Sequence, residues 1–467
     1  MHRLCFVALA VVLGSCRPEA IRAPRASEEP SDLRYNVTYV REPELAIDVE
    51  VVRGQNAPQD FLFTVAGVVD TLQVSNEQGQ VQELSVGDSG VTVPPGTRVI
   101  RYRYPLKNSR GWRGLFEGMA HGDAVLISGK SWLIRPRVAE PLLRAELSIQ
   151  GTDVLLPWQP GPDGLYHLRA EDLVDSGFHG FGGRRCQVHL PDAVLDVAIQ
   201  GPLPHLKDEQ VCEWLRQRAE EVRTIRHHFP YPRISVIVYP VPEQDDADIF
   251  GMVMWSSPPS IGLLLGQDTR PGSFGEDWMA LHELLHLTHP TILPRTTWIS
   301  EGLATYLTEL ARSRSGRFSP ERAWHELLVG FDRGKRQARG RTMQQMFDED
   351  RPPGIYWVGA YLALRLDVAL RKATGNQRGL QDVLELLATK GSTTTVAGYG
   401  AAVDAVAGQP LFTALLEEER RRPAFAGLEG LLEDLGVTPT PGGVKFQQAR
   451  ESLVREALDG KSGAGSR

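Results

Sequence analysis

The chain has 467 residues, 42% hydrophobic and 23% charged, with 51 Lys+Arg against 58 Asp+Glu for a formal net charge of −7. At roughly 100–200 residues per domain, that length predicts two to four domains with ample core, and the composition excludes disordered and coiled-coil classes. Mild acidity without a basic stripe removes nucleic acid from the expected partners.

Residues 1–16 have the layout of an export signal, with His2 and Arg3 followed by an apolar run from Phe6 to Leu13. That run is shorter than the ~20 residues a spanning helix needs. It closes with Leu13-Gly14-Ser15-Cys16, which resembles a bacterial lipobox. The resemblance implies lipidation at Cys16; the alternative is an ordinary secretory signal with an incidental cysteine. Residues 17–32 are charged, Pro-containing and aperiodic, and read as a flexible tether. The expected location is the bacterial cell envelope, facing the periplasm or the exterior. Contact with the membrane is expected through the N-terminal lipid anchor only, since no later stretch of ~18 apolar residues occurs. Beyond Cys5 and Cys16 the cysteines are Cys186 and Cys212. An oxidising compartment allows these two to pair, and the sequence leaves a disulfide and two buried thiols equally open.

From 33 to 205 the pattern is strand-like. Segments such as Tyr35–Val40, Leu45–Val52 and Val99–Tyr104 alternate apolar and polar residues or are β-branched and aromatic, with turn clusters at Asn76–Gly79 and Pro94–Gly96. Short strands punctuated by Gly and Pro predict a β-sandwich-like domain. The Gly-rich stretch Gly177–Gly183 lacks the strand–turn–helix setting of a phosphate-binding loop and reads as a connector. At 206 the period changes. Lys207–His228 reads as a helix carrying Val211, Trp214, Leu215, Ala219, Val222 and Ile225 on one face, followed by strands at Ile234–Tyr239, Ile249–Trp255 and Ile261–Leu265. Helices are expected at about 275–289, 297–312, 320–332, 355–373 and 377–389, with weaker ones to the end. This gives a mixed region over 206–315 and a helical domain over 316–467. The Gly/Ser-containing tail from Gly460 to Arg467 reads as disordered.

The helix at 275–289 contains His282-Glu283-Leu284-Leu285-His286. Histidines at i and i+4 share one helix face and can bind a single metal ion, while the Glu beside that face can take a proton from a water. Ser273-Phe274-Gly275-Glu276 has the pattern of a capping box, Trp278, Leu281 and Leu285 form an apolar stripe, and Pro290 follows the expected end. Twelve histidines in 467 residues make roughly 0.02 such pentads expected by chance. A catalytic zinc takes three protein ligands and keeps one position open. Glu301, fifteen positions after His286 and near the start of a helix beginning at Thr296 or Thr297, is the candidate third ligand. His289 lines the site or is a helix-end residue favoured by the C-terminal dipole.

The pentad followed by Trp298-Ile299-Ser300-Glu301-Gly302-Leu303-Ala304-Thr305-Tyr306 resembles the gluzincin metallopeptidases, and most of all their aminopeptidase N and glycyl aminopeptidase branches. The resemblance implies an α+β multi-domain protein with an N-terminal β-sandwich-like domain, a thermolysin-like catalytic domain over 206–315 and a C-terminal helical domain. It implies one Zn²⁺ per chain held by His282, His286 and Glu301, with Glu283 as general base. Those families carry a Tyr-x-x-Gly tyrosine that supports the oxyanion, matched here by Tyr356-Trp357-Val358-Gly359. The alternative for Tyr356 is a core stripe with Trp357, Tyr361 and Leu364. The amine-binding Gly-x-Met-Glu-Asn segment of the aminopeptidase N branch is matched only by Gly251 and Met252 in Phe250–Ser256, without the Glu. An edge strand there can still pair with an extended substrate. The loop before Glu301 is also shorter than in that branch, and the stretch after 420 is too short for the PDZ domain of the other.

The expected function is zinc-dependent peptide-bond hydrolysis on a peptide or protein substrate. Aminopeptidase and endopeptidase both remain open, and the competing reading is a catalytically lapsed, peptidase-like envelope protein acting as a binding or scaffolding module.

Overall fold

The computed structural model describes residues 31–63, 68–88, 90–106, 109, 113–138 and 140–461. The export signal, Cys16, the tether up to residue 30 and the tail from 462 lie outside these. Among the described residues no helix is long and apolar enough to cross a membrane.

The N-terminal region is built in sheets. Leu33–Val40 forms an antiparallel hairpin with Ala46–Arg53 and pairs in parallel with Arg144–Gln150, in a seven-stranded sheet that also holds Thr97–Pro105. Its period-2 pattern turns Leu33, Tyr35, Val37 and Tyr39 inward. There they meet Phe61 and Val91 from a three-stranded sheet, and Val125, Ile127 and Phe181 from a four-stranded one. The expected sandwich-like packing is therefore present as one large sheet over two smaller ones.

The stretch expected as a connector is a strand. Phe178–Phe181 is buried throughout and pairs with Ala124–Ser128. Phe181 enters the N-terminal core, stacked on Tyr39 with ring centroids 5.3 Å apart, while Phe178 joins Ala198, Ile237 and Leu264 on the other side. Its glycines serve packing and turning. A Cβ at Gly180 would meet Gln200 at 2.5 Å, and Gly182 and Gly183 take positive φ of 65° and 75° on the way into the next strand.

That next strand moves the expected boundary at 205/206 upstream. Arg184–His189 and Val194–Ile199 belong to a five-stranded sheet with Arg233–Val241, Ser260–Gly266 and the edge strand Phe250–Met254. Their buried residues Val188, Leu195 and Val197 share a core with Trp214, Leu281 and Leu285. The sequence missed this because strand pairing is non-local, and residues 184–199 look no different from the strands before them. Cys186 and Cys212 form a disulfide, with Cα atoms 6.7 Å apart, between the first strand of this sheet and the helix Asp208–Arg223. That helix stops five residues short of the expected His228, where the Thr224 hydroxyl donates to the Glu221 carbonyl.

The helices Thr297–Arg314, Pro320–Ala338, Gly354–Ala373 and Leu380–Ala388 follow the expected order, the last starting three residues late. The expected boundary at 315/316 separates no cores. Leu303, Leu307, Phe331, Val358, Leu362 and Leu384 lie in the same buried cluster as Leu281 and Leu285. Two glycines permit this. A Cβ at Gly302 would stand 2.4 Å from the Gly359 backbone, and one at Gly359 would stand 2.0 Å from the Trp298 carbonyl oxygen. The Thr297–Arg314 and Gly354–Ala373 helices therefore touch backbone to backbone. Gly359→Ala is expected to cost ~2–4 kcal/mol of unfolding free energy by forcing the pair apart. Gly272→Ala, where an added Cβ meets nothing within 4 Å, is expected to stay within ~0.5 kcal/mol. Urea denaturation of both variants checks this.

Candidate metal centre

The ligand helix is Met279–His286, shorter at both ends than expected. The expected capping box is not its start, because Pro271–Gly275 is a 3₁₀ turn. Instead Asp277 accepts the Ala280 N–H at 3.3 Å, and Asp248, from before the edge strand, accepts the Trp278 and Met279 N–H groups at 3.0 and 2.9 Å. The carboxyl oxygens accept these orphan donors, and the ionised form complements the helix dipole. The helix is buried on every side, with Leu281, Leu284 and Leu285 in the core.

His282 and His286 project from one face of this helix, and Glu301 enters from the first turn and a half of Thr297–Arg314. His282 Nε2 lies 3.2 Å from Glu301 Oε2 and 3.2 Å from His286 Nε2, and His286 Nε2 lies 3.3 Å from Glu301 Oε2. Among the described residues this is the group of three whose ligand atoms could hold a metal ion. A tetrahedral zinc bound at ~2.0–2.1 Å would separate its ligand atoms by about 3.3–3.4 Å, so the donor set fits the ion in size and chemistry. Two ring nitrogens facing each other beside a carboxylate in a buried setting also call for a shared cation.

The electrostatics set the residues of the site apart from one another. Burial lowers His282 to about 4, favouring the neutral ring that donates a lone pair. Burial also works against the charged form of His286, but the Glu301 carboxylate outweighs it and holds His286 above its ordinary value. Glu301 runs the other way. Burial would raise it, yet His286 and His282 together pull it far below the usual carboxylate range. Glu283, on the same helix, is raised to about 7 chiefly by burial.

Several side chains and one backbone group hold these residues. The Val253 backbone faces the Glu283 carboxylate and lowers its pKa slightly against the larger effect of burial. Gly251 lies flush against the ligand helix, where a Cβ would stand 2.5 Å from Glu283 Cγ and 2.9 Å from Met279 Cγ. Its place in the fold is thus that of a close approach behind the candidate base. Met252, its neighbour, turns to the opposite face and packs on the cluster containing Leu126 and Tyr239. Phe250–Met254 is the end strand of its sheet, which leaves an edge beside the triad. The Trp278 indole stacks on His282 with centroids 4.1 Å apart and donates its N–H to Glu309 at 3.1 Å. His286 Nδ1 lies 3.5 Å from Ser300 Oγ. The Tyr356 ring is 6.4 Å from that of His282, and burial, then Glu301 and Glu283, push its hydroxyl upward, keeping it protonated. Tyr356 is therefore beside the triad and half-buried, and with Trp357 it also packs against the core that holds Tyr361 and Leu364. His289 lies past the helix end, 5.7 Å from His286 ring to ring and fully buried.

Sequence reasoning did not find Asp248, Trp278's stacking, Glu309 or the Val253 amide. Two of these had a signal. Trp278 is four residues before His282, and Glu309 is eight after Glu301, each on the ligand's own helix face. Asp248 and Val253 had none, since only the tertiary fold brings the edge strand to the helix.

No protein-family model matches the sequence, and no curated protein matches it. Among solved structures, an aminopeptidase N family protein from Idiomarina loihiensis aligns with a TM-score of 0.67 at 15% identity, over 87% of this chain and 78% of that one. A structure of native yeast LTA4 hydrolase aligns at 11% identity and a TM-score of 0.49, over 92% of this chain and 73% of its own. The chain thus has the multi-domain α+β fold of the first, sheet-rich at its N-terminus and helical at its C-terminus.

Burial, followed by the neighbouring Asp277, raises Asp248 to about 7. A carboxyl with a folded pKa above its unfolded value near ~3.9 weakens the fold as pH rises between the two. Asp248→Asn keeps an acceptor for the two helix N–H groups and does not titrate. Its stability relative to the wild type is expected to improve by on the order of 1–2 kcal/mol between pH 4 and pH 7 and to level off above, as thermal unfolding across that range will show.

Proposed function

We propose that the chain is a zinc-dependent peptidase of the gluzincin kind, with His282, His286 and Glu301 as ligands, Glu283 as general base and Tyr356 as oxyanion support. The observation that carries this reading is the triangle of donor atoms 3.2–3.3 Å on a side, with Glu283 on the same helix packed closely against Gly251 of the edge strand. Zinc at that triangle supplies Lewis-acid polarisation of the scissile carbonyl and lowers the pKa of water.

The chain's own residues do the rest. Glu283, poised at about 7, accepts a proton from the attacking water on a carboxylate oxygen and returns it to the departing amine nitrogen. Tyr356 keeps its proton near neutral pH and donates the O–H to the oxygen that gains charge as the carbonyl becomes tetrahedral. Trp278 and Tyr356 flank His282 and restrict water around the ring. The free edge of Phe250–Met254 offers main-chain groups to an extended peptide, with Gly251 and Met252 supplying backbone. Neither residue carries a carboxylate for a substrate amine, so recognition of a free N-terminus rests on groups other than those of the aminopeptidase N pattern.

The same reading places the enzyme at the cell envelope. The export signal and the lipobox-like Leu13–Cys16 support it, and so does a disulfide that belongs in an oxidising compartment. Cys16→Ser is expected to release the protein from the membrane fraction; if it still sediments with membranes, the anchor assignment fails.

Elemental analysis of the purified protein is expected to give one zinc per chain, falling well below that in Glu301→Ala. Glu283→Gln is expected to keep the zinc and lose ~10²–10⁴-fold in peptide hydrolysis. Tyr356→Phe should lower kcat by ~10–10³-fold with little change in KM. Zinc-free protein, or hydrolysis indifferent to Glu283→Gln, would leave the scaffold reading standing.

A further inference from the structure

Behind Tyr356 lies a cavity of about 400 Å³, walled by the helices Thr297–Arg314, Pro320–Ala338 and Gly354–Ala373. It shares two walls with the ligand triad, Trp278 and Tyr356, and is otherwise absent from the chemistry above.

Helix geometry gives its direction. The first two helices are joined by residues 315–319 and so run antiparallel. Thr305 and Glu309 follow Glu301 at successive turns, and Glu326, Gly330 and Arg333 share one face of the facing helix. Counting back from that connection puts Glu326 at the level of Glu309, whose carboxyl is raised first by burial and further by Glu326. Gly330 then stands opposite Thr305, and Arg333 lies near the level of Glu301. The cavity therefore leads away from the ligands over two helical turns, ~12 Å at 1.5 Å per residue, to an end flanked by two carboxylates.

The lining changes along that path. Trp278, Trp357 and Phe318 supply aromatic walls, and Gly330 is a glycine where the Trp357 ring lies across the helix, leaving no room for a Cβ. Midway, Thr305 is fully buried, and its hydroxyl has no partner among the described residues. A buried hydroxyl left unmatched in a cavity wall points to a ligand group that matches it. At the far end Glu309 is occupied, holding the Trp278 N–H and the Arg312 guanidinium. Arg312 is likewise occupied, donating to the carbonyls of Glu276 and Asp277. Glu276 pairs outward with Arg322. Glu326 is half-buried and in no ion pair among the described residues; Arg333, exposed at the other end, is the remaining cation of the lining.

We propose that this cavity is the subsite for a lysine or arginine side chain of the substrate next to the scissile bond. The aliphatic stem lies along Trp278 and Trp357, the charged end meets Glu326, and the Thr305 hydroxyl accepts from the Nε–H of an arginine on the way. Arg333, seven residues from Glu326 on the same face, leaves the charge pairing at the far end undisturbed and opposes a second cation at the entrance. The proposal rests on the peptidase reading, and its test separates the two.

A set of peptides differing at one position, with Lys, Arg, Met, Ala or Glu, is digested by the zinc-loaded enzyme and the products are mapped by mass spectrometry. In parallel, binding of the same peptides to Glu283→Gln is measured by calorimetry. Lys and Arg next to the cleaved bond are expected to exceed Met by about tenfold in both kcat/KM and affinity. Glu326→Gln should erase that preference and leave the Ala peptide unchanged. Val329→Trp, which fills the cavity from an exposed position on its rim, should suppress Lys, Arg and Met alike and spare Ala. A flat profile, or a basic preference that survives both substitutions, overturns the subsite. Cavity-dependent binding without any cleavage upholds the subsite and sinks the peptidase reading; cleavage without preference does the reverse.

Discussion

The contact on which the site depends is the one between two glycines. Gly302 follows the candidate ligand Glu301, and Gly359 stands one turn after Tyr356. Because neither has a Cβ, the two helices meet backbone to backbone, closer than ordinary side-chain packing allows. Glu301 and Tyr356 are carried by these helices within a turn of the crossing, where flexing moves them least. Any residue larger than glycine would displace Tyr356 by about the radius of a methyl group, and misplacements of ~1 Å are enough to lose orientation effects worth two orders of magnitude. The glycines in the Glu-Gly and Tyr-x-x-Gly patterns thus have a packing reason that is independent of any family resemblance.

A second constraint sets the histidines against that pair. The ligand helix is only eight residues long and is anchored mainly at its start. Asp277 and Asp248 take its first N–H groups, Arg312 reaches across from the Glu301 helix to the carbonyls of Glu276 and Asp277, and Glu309 on that same helix holds Trp278. At the other end Thr291–Leu293 pairs with Thr393–Thr395, tying the connecting loop to the helical region. The charges behind the helix are matched: Arg218 with Glu221 and Asp277, Arg317 with Glu221, Arg312 with Glu309. Unmatched, each would cost several kcal/mol at that depth. The relative position of His282, His286 and Glu301 is therefore set by links between elements, and residues 287–296 need only span the gap.

This explains what the sequence could and could not disclose. The pentad and Glu301 were legible because an i, i+4 spacing and a short turn into a new helix are local facts, and helix geometry converts them into positions without knowledge of the rest. The position of Tyr356 near His282 follows from its helix, and the structure adds why the glycine one turn on is there. The strands at 184–199 were assigned to the wrong side of a boundary because parallel pairing with Arg233–Val241 leaves no local mark. Phe178–Phe181 reads as a connector because glycines that relieve crowding against Gln200 look, in sequence, like glycines that make a loop. Ser273 and Glu276 have the letters of a capping box, but the helix begins later, where Asp277 and Asp248 accept its first N–H groups, one of them from 30 residues away.

The two carboxyls at the centre show how one buried environment gives opposite proton affinities. Glu301 and Glu283 are both removed from water, which alone raises a carboxyl. Glu301 faces two imidazoles within 3.3 Å, and that attraction overwhelms burial and keeps it ionised. Glu283 has the Val253 backbone and a more distant His286, with Glu301 itself opposing its charge, so burial prevails and its proton affinity rises to the neutral range. An always-ionised carboxylate is suited to holding a cation, and one near neutrality is suited to taking and returning a proton. The separation follows from where the two backbones put the side chains: Glu301 across from the histidines, Glu283 one residue past His282 and turned toward the edge strand. Exchanging their proton affinities would require moving a helix, so the difference is a property of the fold as much as of the residues.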